Sequence, residues 1–489
     1  MNSEEITSIF HFPLGHTETP NIVWLQARKA AAPTNLPQEG LLLGVNDFRG
    51  IDTPIKIKRE DRRRHIYIIG MTGTGKTYLQ NNMIIQDIIN GEGVCVIDPH
   101  GDLVEEVISY IPKARAEDVI YFNPADTERP MGMNMLEFDN PEQKTFVINE
   151  MMNIFDKLYD LRQTGGPIFE QYMRNTMLLM MEDPESGSTL LEVSKVLSDE
   201  EFRKYKLSKS KTQVVKDFWL KEAEKAGGEA ALANMVPYIT SKLTTFIAND
   251  IMRPIIAQQK SAFNFRKAMD ERKIILVNLS KGKLGDINAN LLGMVIIGKI
   301  LFASLSRVDL PEAERKDFYL YIDEFQNFLT EGISVILSEA RKYRLCLTIA
   351  HQFIGQLVKA NDTRIKDAVF GNVGTKIAFR IGVEDAQVMA KEFAPVFNEY
   401  DVMNVPKYNA FVKLLIDNAN PPPFNIKTLG PESRPLPNPE LGQAIKDLSR
   451  LKYGRDRNLV EDEINERMRL TSSPKPVSEA TTEEEDIFA

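Results

Sequence analysis

Three glycines, a lysine and a threonine recur at fixed spacing in Gly70-Met71-Thr72-Gly73-Thr74-Gly75-Lys76-Thr77, which fits G-x-x-x-x-G-K-T in full. Glycines at 70, 73 and 75 let backbone N–H groups turn inward on one point, and the helix that follows aims its positive end at the same point. Such a cradle suits phosphate oxygens. Lys76 is placed to reach the β- and γ-phosphates of ATP, and the Thr77 hydroxyl to ligate Mg2+. Met71, Thr72, Thr74 and Tyr78 complete the expected nucleotide-contacting set. An apolar run, His65-Ile66-Tyr67-Ile68-Ile69, leads into the loop, and Tyr78 to Asn90 leaves it as a helical pattern. That context separates a phosphate loop from a chance glycine-rich octet.

A second constellation is Phe318-Tyr319-Leu320-Tyr321-Ile322-Asp323-Glu324, an apolar strand that ends in two acids. Alone, such a pair is a common solvated strand end. Together with the phosphate loop, it reads as a hydrolytic pair. Asp323 is expected to hold Mg2+ through water, and Glu324 to orient and polarise the attacking water. The run Leu345 to Ala350 delivers His351 and Gln352. Gln352 is the expected sensor of the γ-phosphate, while His351 reads equally as a turn residue. Charge on the transferring phosphoryl group calls for an arginine, supplied by the same chain or a neighbour. Arg380, at the end of Thr375 to Phe379, is the first choice, with Arg341 and Arg344 as rivals. Each reads otherwise as a surface ion pair. The five histidines, His11, His16, His65, His100 and His351, have no metal-ligand spacing, and His100 belongs to the loop near the nucleotide.

These residues need a scaffold that brings strand ends together. Apolar runs at 65–69, 93–97, 118–122, 273–279, 318–322, 345–350 and 375–380 alternate with helical stretches, the pattern of an α/β fold with a mostly parallel sheet. Two short strands precede them around Gly50, and Asn409 to Ile416 is expected to form an edge strand. From Pro141 to about Asp270 the periodicity is helical throughout. The expected organisation is therefore an N-terminal segment, 1–40; a first core part, 41–141; an all-helical insertion, 142–270; a second core part, 271–425; and C-terminal helices with an acidic disordered tail, 426–489.

The 489 residues carry 60 Lys and Arg against 69 Asp and Glu, a net charge of −9. This excludes a globally basic nucleic-acid coat but not a local basic lining, for which Lys281, Lys283 and Arg62-Arg63-Arg64 are candidates, the arginine run reading rather as the outer flank of the first core strand. Two cysteines in apolar runs, Cys95 and Cys346, fit a reducing compartment. Met1 to Phe12 lacks a signal-peptide pattern. The longest apolar run, Leu291 to Ser304, is interrupted by Lys299 and falls short of the roughly 18 residues that span a bilayer.

In order, the phosphate loop, Asp98-Pro99-His100-Gly101-Asp102, the helical block, Val277-Asn278-Leu279-Ser280-Lys281-Gly282, Asp323-Glu324-Phe325-Gln326 and Ala350-His351-Gln352-Phe353 resemble the HerA–FtsK superfamily of DNA-pumping ATPases. Within it the chain resembles the TraD/TraG-like coupling ATPases of conjugation and type IV secretion, over roughly residues 40–425. The resemblance implies a RecA-like core, a homohexameric ring, DNA in a central channel, arginines supplied between neighbours, and relaxase or secretion-channel partners. Coupling proteins usually carry an N-terminal membrane anchor. Without such a segment here, the expectation is a cytoplasmic protein that reaches the inner face of the membrane through partners. Two further classes compete: an ATPase that escorts protein substrates, and a nucleotide-dependent scaffold that hydrolyses poorly. The presence of both Glu324 and Gln352 argues against the scaffold. A soluble HerA-like translocase is the nearest variant of the motor.

Overall fold

The computed structural model describes residues 27–223, 229–358 and 362–469. His11, His16, most of the expected N-terminal segment and the acidic tail lie outside the described residues. Contacts divide the chain into two compact units, residues 1–123 with 263–452, and 124–262 with 453–489.

The first unit is built on one sheet. Its strands are β1 (Leu41–Phe48), β2 (Ile51–Ile57), β3 (Ile66–Ile69), β4 (Gly93–Asp98), β5 (Val119–Phe122), β6 (Ile274–Asn278), β7 (Phe318–Ile322), β8 (Leu345–His351), β9 (Thr375–Ala378), β10 (Asn409–Lys413) and β11 (Phe424–Thr428). They lie in the order β2-β1-β11-β10-β9-β3-β8-β7-β4-β6-β5. From β9 to β5 every pairing is parallel, whereas β2, β1, β11 and β10 pair antiparallel. Every residue of β3, β4, β6, β7 and β8 is buried, as expected of parallel strands covered on both faces. Alternate side chains, Ile66 and Ile68, Val94 and Val96, Ile274 and Leu276, Tyr319 and Tyr321, share one face. Leu79 and Met83 of helix α1 (Lys76–Ile89) and Val104 of helix α2 (Asp102–Ile108) join that core.

Asn409–Lys413 is not an edge strand, contrary to expectation. Beyond Pro421-Pro422-Pro423 the chain re-enters the sheet as β11, pairs with β10, and is itself covered by β1. Proline lacks the ladder N–H, so the triplet reads locally as an end, but it breaks only the connection between two strands.

Register aligns the chemistry. Ile69 pairs with His351 and Ala378, Ile97 with Ile322, and Asp98 with Asn278. The carboxyl ends of the parallel strands therefore lie along one edge, where ligands bind in open α/β sheets.

Two arginines of the Arg62-Arg63-Arg64 run are taken up in ion pairs and are not available to a basic lining. Arg62 is buried and grips Asp87 with two bonds of 2.7 Å, and Tyr321 donates to the same carboxylate at 2.6 Å. Arg63 makes a matching pair with Asp317 at 2.9 Å. The helix Asp286–Asp309, by contrast, is long and apolar enough to cross a membrane, although 72% of its most apolar window is buried inside the fold. Lys299 does not interrupt it, and a helix apolar on all sides suits a buried core position.

His65 is buried, and its Nδ1 accepts the Leu347 N–H at 3.1 Å. Burial lowers its pKa to about 4. In the unfolded chain the value returns to about 6.5. Stability from the neutral ring is thus present above pH 6.5 and lost as pH falls towards 4. Between pH 7 and 4.5 His65 is expected to cost about 2–3 kcal/mol of unfolding free energy. Denaturant titrations at the two pH values check this, with His65→Gln, which keeps an acceptor, showing the smaller decline. Equal declines would remove His65 from the account.

The second unit is helical within its described residues. Helices α3 (Lys144–Tyr159), α4 (Gly166–Glu182), α5 (Leu190–Ser198) and α6 (Glu229–Ile247) form its body. Helix α7 (Arg457–Arg469), from far along the chain, returns to it. Val460 and Ile464 pack with Leu191 and Ala257, and Lys195 Nζ donates to the Met468 carbonyl at 2.7 Å. The unit therefore begins and ends earlier than the expected 142–270 block and takes in part of the 426–489 segment. Within the lysine-rich stretch near 204–216, Lys206 is fully buried and donates to the Asp183 and Gly187 carbonyls at 2.8 and 2.6 Å.

Candidate active site

The phosphate loop joins β3 to α1. Gly75 has φ 122, a conformation that side chains avoid, and an added Cβ would also press on Phe379 and Tyr408 at 3.1 and 3.2 Å. Neighbouring strands anchor the loop: Met71 N–H donates to the Arg380 carbonyl at 2.8 Å, and Tyr408 N–H to the Thr74 carbonyl at 2.9 Å. Thr74 ties the loop to itself through Oγ1 and the Met71 carbonyl, 2.7 Å apart. Met71, Thr72, Gly73 and Thr77 are exposed. Lys76 is buried, with Nζ on the Gly70 and Met71 carbonyls at 2.6 and 3.2 Å. Burial lowers its pKa, against the opposing pull of Asp323 and Glu324. An ammonium held only by carbonyls in a dry site favours an incoming phosphate.

Asp323 follows β7, its N–H on the Ile97 carbonyl at 3.1 Å. Its carboxylate is buried and accepts one bond, from Gln80 Nε2 at 3.0 Å. Gln80 lies one turn beyond Thr77 on α1, so the helix of the phosphate loop and the acid of β7 are joined directly. Burial raises the Asp323 pKa to about 6; Gln80 and Lys76 oppose the rise, and the Glu324 and Asp98 charges add to it. This buried carboxylate, bonded to the helix that starts with Lys76 and Thr77, fits a hard divalent cation. Mg2+ takes few protein oxygens and completes its shell with water and phosphate.

Glu324 adopts φ 44. Gln352 Nε2 donates to its Oε1 at 2.9 Å, and Gln326 Nε2 to its Oε2 at 2.6 Å. Two residues singled out in sequence, Glu324 and Gln352, are therefore bonded to each other across adjacent strand ends. Gln326 entered the sequence reading only as the last residue of Asp323-Glu324-Phe325-Gln326, and Gln80 not at all. For Gln80 the i+3 position after Thr77, one helical turn on, is the signal along the chain. His351 is the last residue of β8, buried, its Nε2 2.7 Å from the Tyr67 hydroxyl.

Asp98 caps α2, accepting from the His100, Leu103 and Val104 N–H groups at 2.9, 2.8 and 3.3 Å, while His100 itself is exposed. Asn278 holds the turn after β6 through Ser280 N–H and hydroxyl at 3.0 and 2.8 Å. Lys281 is paired with Asp286 at 3.3 Å, and Lys283 is exposed.

The arginines separate by position. Arg380 has its main chain beside the phosphate loop of its own chain and its side chain exposed. Arg341 and Arg344 precede β8, at the opposite end of a strand that rises about 20 Å. Arg344 sits 3.8 Å from Asp317, and Arg341 is exposed.

A family model for the DNA-binding domain of type IV secretion-system coupling proteins matches residues 49–411. The chain belongs to that family. Among solved structures, this coupling-protein chain resembles the plasmid coupling protein TrwB in complex with ADP and Mg2+, at 15% identity and a TM-score of 0.60, over 87% of this chain and 98% of that one. TrwB with the ATP analogue ADPNP gives 16% identity and a TM-score of 0.57, over 86% and 97%. VirB4 of Thermoanaerobacter pseudethanolicus gives 16% and 0.55, over 81% and 98%. At such identities the likeness is one of fold, the RecA-like P-loop core. No curated protein sequence matches the chain. The coupling-protein match spans the phosphate loop, Asp323-Glu324 and Gln352, and reaches into β10.

Proposed function

We propose that this chain is an ATP-driven DNA-translocating motor of the conjugative, type IV secretion coupling kind. The observation that carries the proposal is the bonding of Glu324 to Gln352 and Gln326 at strand ends beside a complete phosphate loop. Residues 70–78 bind ATP: loop N–H groups receive the phosphates, and Lys76 moves from the Gly70 and Met71 carbonyls onto the β- and γ-oxygens. Thr77 and Asp323 are the residues that would hold Mg2+. When bound, Mg2+ neutralises charge on the phosphate oxygens.

Glu324 accepts a hydrogen bond from the attacking water on a lone pair that the two glutamines leave open. As water oxygen bonds to the γ-phosphorus, the bond to the β–γ bridging oxygen breaks, giving ADP and phosphate. Glu324 takes up the water proton. Gln352, on the same carboxylate, transmits the state of the γ-phosphate to the end of β8. The working form is a homohexamer with DNA in its channel, and the helical unit faces the incoming DNA. The motor works in the cytoplasm at the inner face of the membrane, docked through a relaxase or secretion-channel proteins.

The test is steady-state ATP turnover by the full chain with and without single- and double-stranded DNA. DNA is expected to raise turnover several-fold. Lys76→Ala is expected to abolish turnover and weaken nucleotide binding about 100-fold, since it removes the charge that meets ground-state phosphates. Turnover indifferent to both DNAs would overturn the DNA motor in favour of protein-substrate transfer.

A further inference from the structure

Tyr408, beside the phosphate loop, takes no part in the chemistry above. It lies in the turn before β10 with φ 63, a strained conformation for a tyrosine. Its main chain is fixed on both sides. The N–H donates to the Thr74 carbonyl at 2.9 Å, and the carbonyl accepts the Thr428 N–H and hydroxyl at 2.9 and 3.0 Å. These bonds hold the ring at the last glycine of the loop, where a Cβ on Gly75 would meet Tyr408 Cδ1 at 3.2 Å. Neighbouring Tyr78 has its ring engaged, with the Arg434 guanidinium 4.2 Å from its centroid and the Tyr408 ring at 5.5 Å. Tyr408 is 41% exposed, and among the described residues the charge over its ring is exposed Lys407, 4.8 Å from the centroid, a flexible ammonium that can swing aside.

We propose that Tyr408 is the stacking platform for the purine base of the bound nucleoside triphosphate, which rests on reading residues 70–77 as its phosphate site. Beyond its contacts with Tyr78 and Gly75, a large aromatic ring kept half in water at the cost of backbone strain leaves one face to spare. Stacking uses only the face of the base, so it tolerates different bases. Because Tyr408 N–H is bonded to the Thr74 carbonyl, the grips on phosphate and base form one unit with fixed spacing. Tyr408 is thus a binding residue with no part in bond making.

The test is calorimetric titration of the full chain, in Mg2+, with a non-hydrolysable ATP analogue and separately with inorganic tripolyphosphate. Tyr408→Ala is expected to weaken the analogue about 10-fold, the loss of one base stack, and to leave tripolyphosphate unchanged. Tyr408→Gly removes the ring and adopts φ 63 without strain, so it gives the same result if the alanine variant folds poorly. Tyr408→Phe keeps wild-type affinity for both. Equal weakening of both probes would mean that the ring only props the loop, and an unchanged analogue would mean that no base stacks there. Either result overturns the proposal. Failure of the wild type to bind either probe would instead overturn the phosphate-site reading itself.

Discussion

Glu324→Gln is expected to lower ATP turnover by about 10²–10⁴-fold while leaving binding of an ATP analogue within a few-fold of wild type. The substitution is nearly isosteric, so Asp323 and the phosphate loop keep their places. What changes is basicity. The carboxylate accepts two amide hydrogen bonds and retains lone pairs for water, whereas a glutamine offers one acceptor oxygen and an NH2 that faces another amide donor. The variant can no longer take up the proton of the attacking water. Because Glu324 acts on the water and not on ground-state phosphates, the loss falls on the chemical step. Single-turnover hydrolysis beside equilibrium titration of the analogue separates the two quantities. Wild-type turnover in this variant would remove Glu324 from its role. Gln326→Ala and Gln352→Ala are expected to fall between, since each frees one carboxylate oxygen without removing the base.

The second large effect concerns the arginines, where loss of a transition-state charge partner costs about 10³–10⁵ in rate. Arg380 holds its main chain at the phosphate loop of its own chain, so its side chain is expected to serve that same site. Arg341 stands a strand length away from that loop, so it can act only on a neighbouring chain. Both Arg380→Ala and Arg341→Ala should bind ATP, assemble and hydrolyse poorly. Mixing each with Lys76→Ala distinguishes them. A Lys76→Ala subunit still offers its Arg341 to a neighbour with an intact loop, so a random equal mixture with Arg341→Ala should restore about a quarter of the sites. A mixture of Arg380→Ala with Lys76→Ala should stay inactive, because no subunit then holds a complete site. Subunit exchange is established first, with labelled chains. Rescue by Arg380→Ala would place that arginine between subunits instead, and absence of rescue by Arg341→Ala would end its assignment.

Much of the candidate site was legible in the residues alone. The octet at 70–77 and the acids at 323–324 are local signals, because a glycine loop between strand and helix, or two acids ending an apolar strand, shape the backbone within a few residues. Seven parallel strands and the helical block could likewise be read from periodicity, which reflects local geometry and burial. Tertiary structure alone decided which strand ends meet. Sheet order depends on pairings hundreds of residues apart, so it brought Gln352 to Glu324, made Asn409–Lys413 an interior strand, and buried Arg62 on Asp87. It also carried Arg457–Arg469 back to the helical unit and seated Tyr408 on Thr74, contacts that no spacing along the chain announces. A residue's type and near neighbours set its conformation and its possible chemistry. Its partners are set by the fold, through burial and hydrogen bonding that the whole chain must satisfy together.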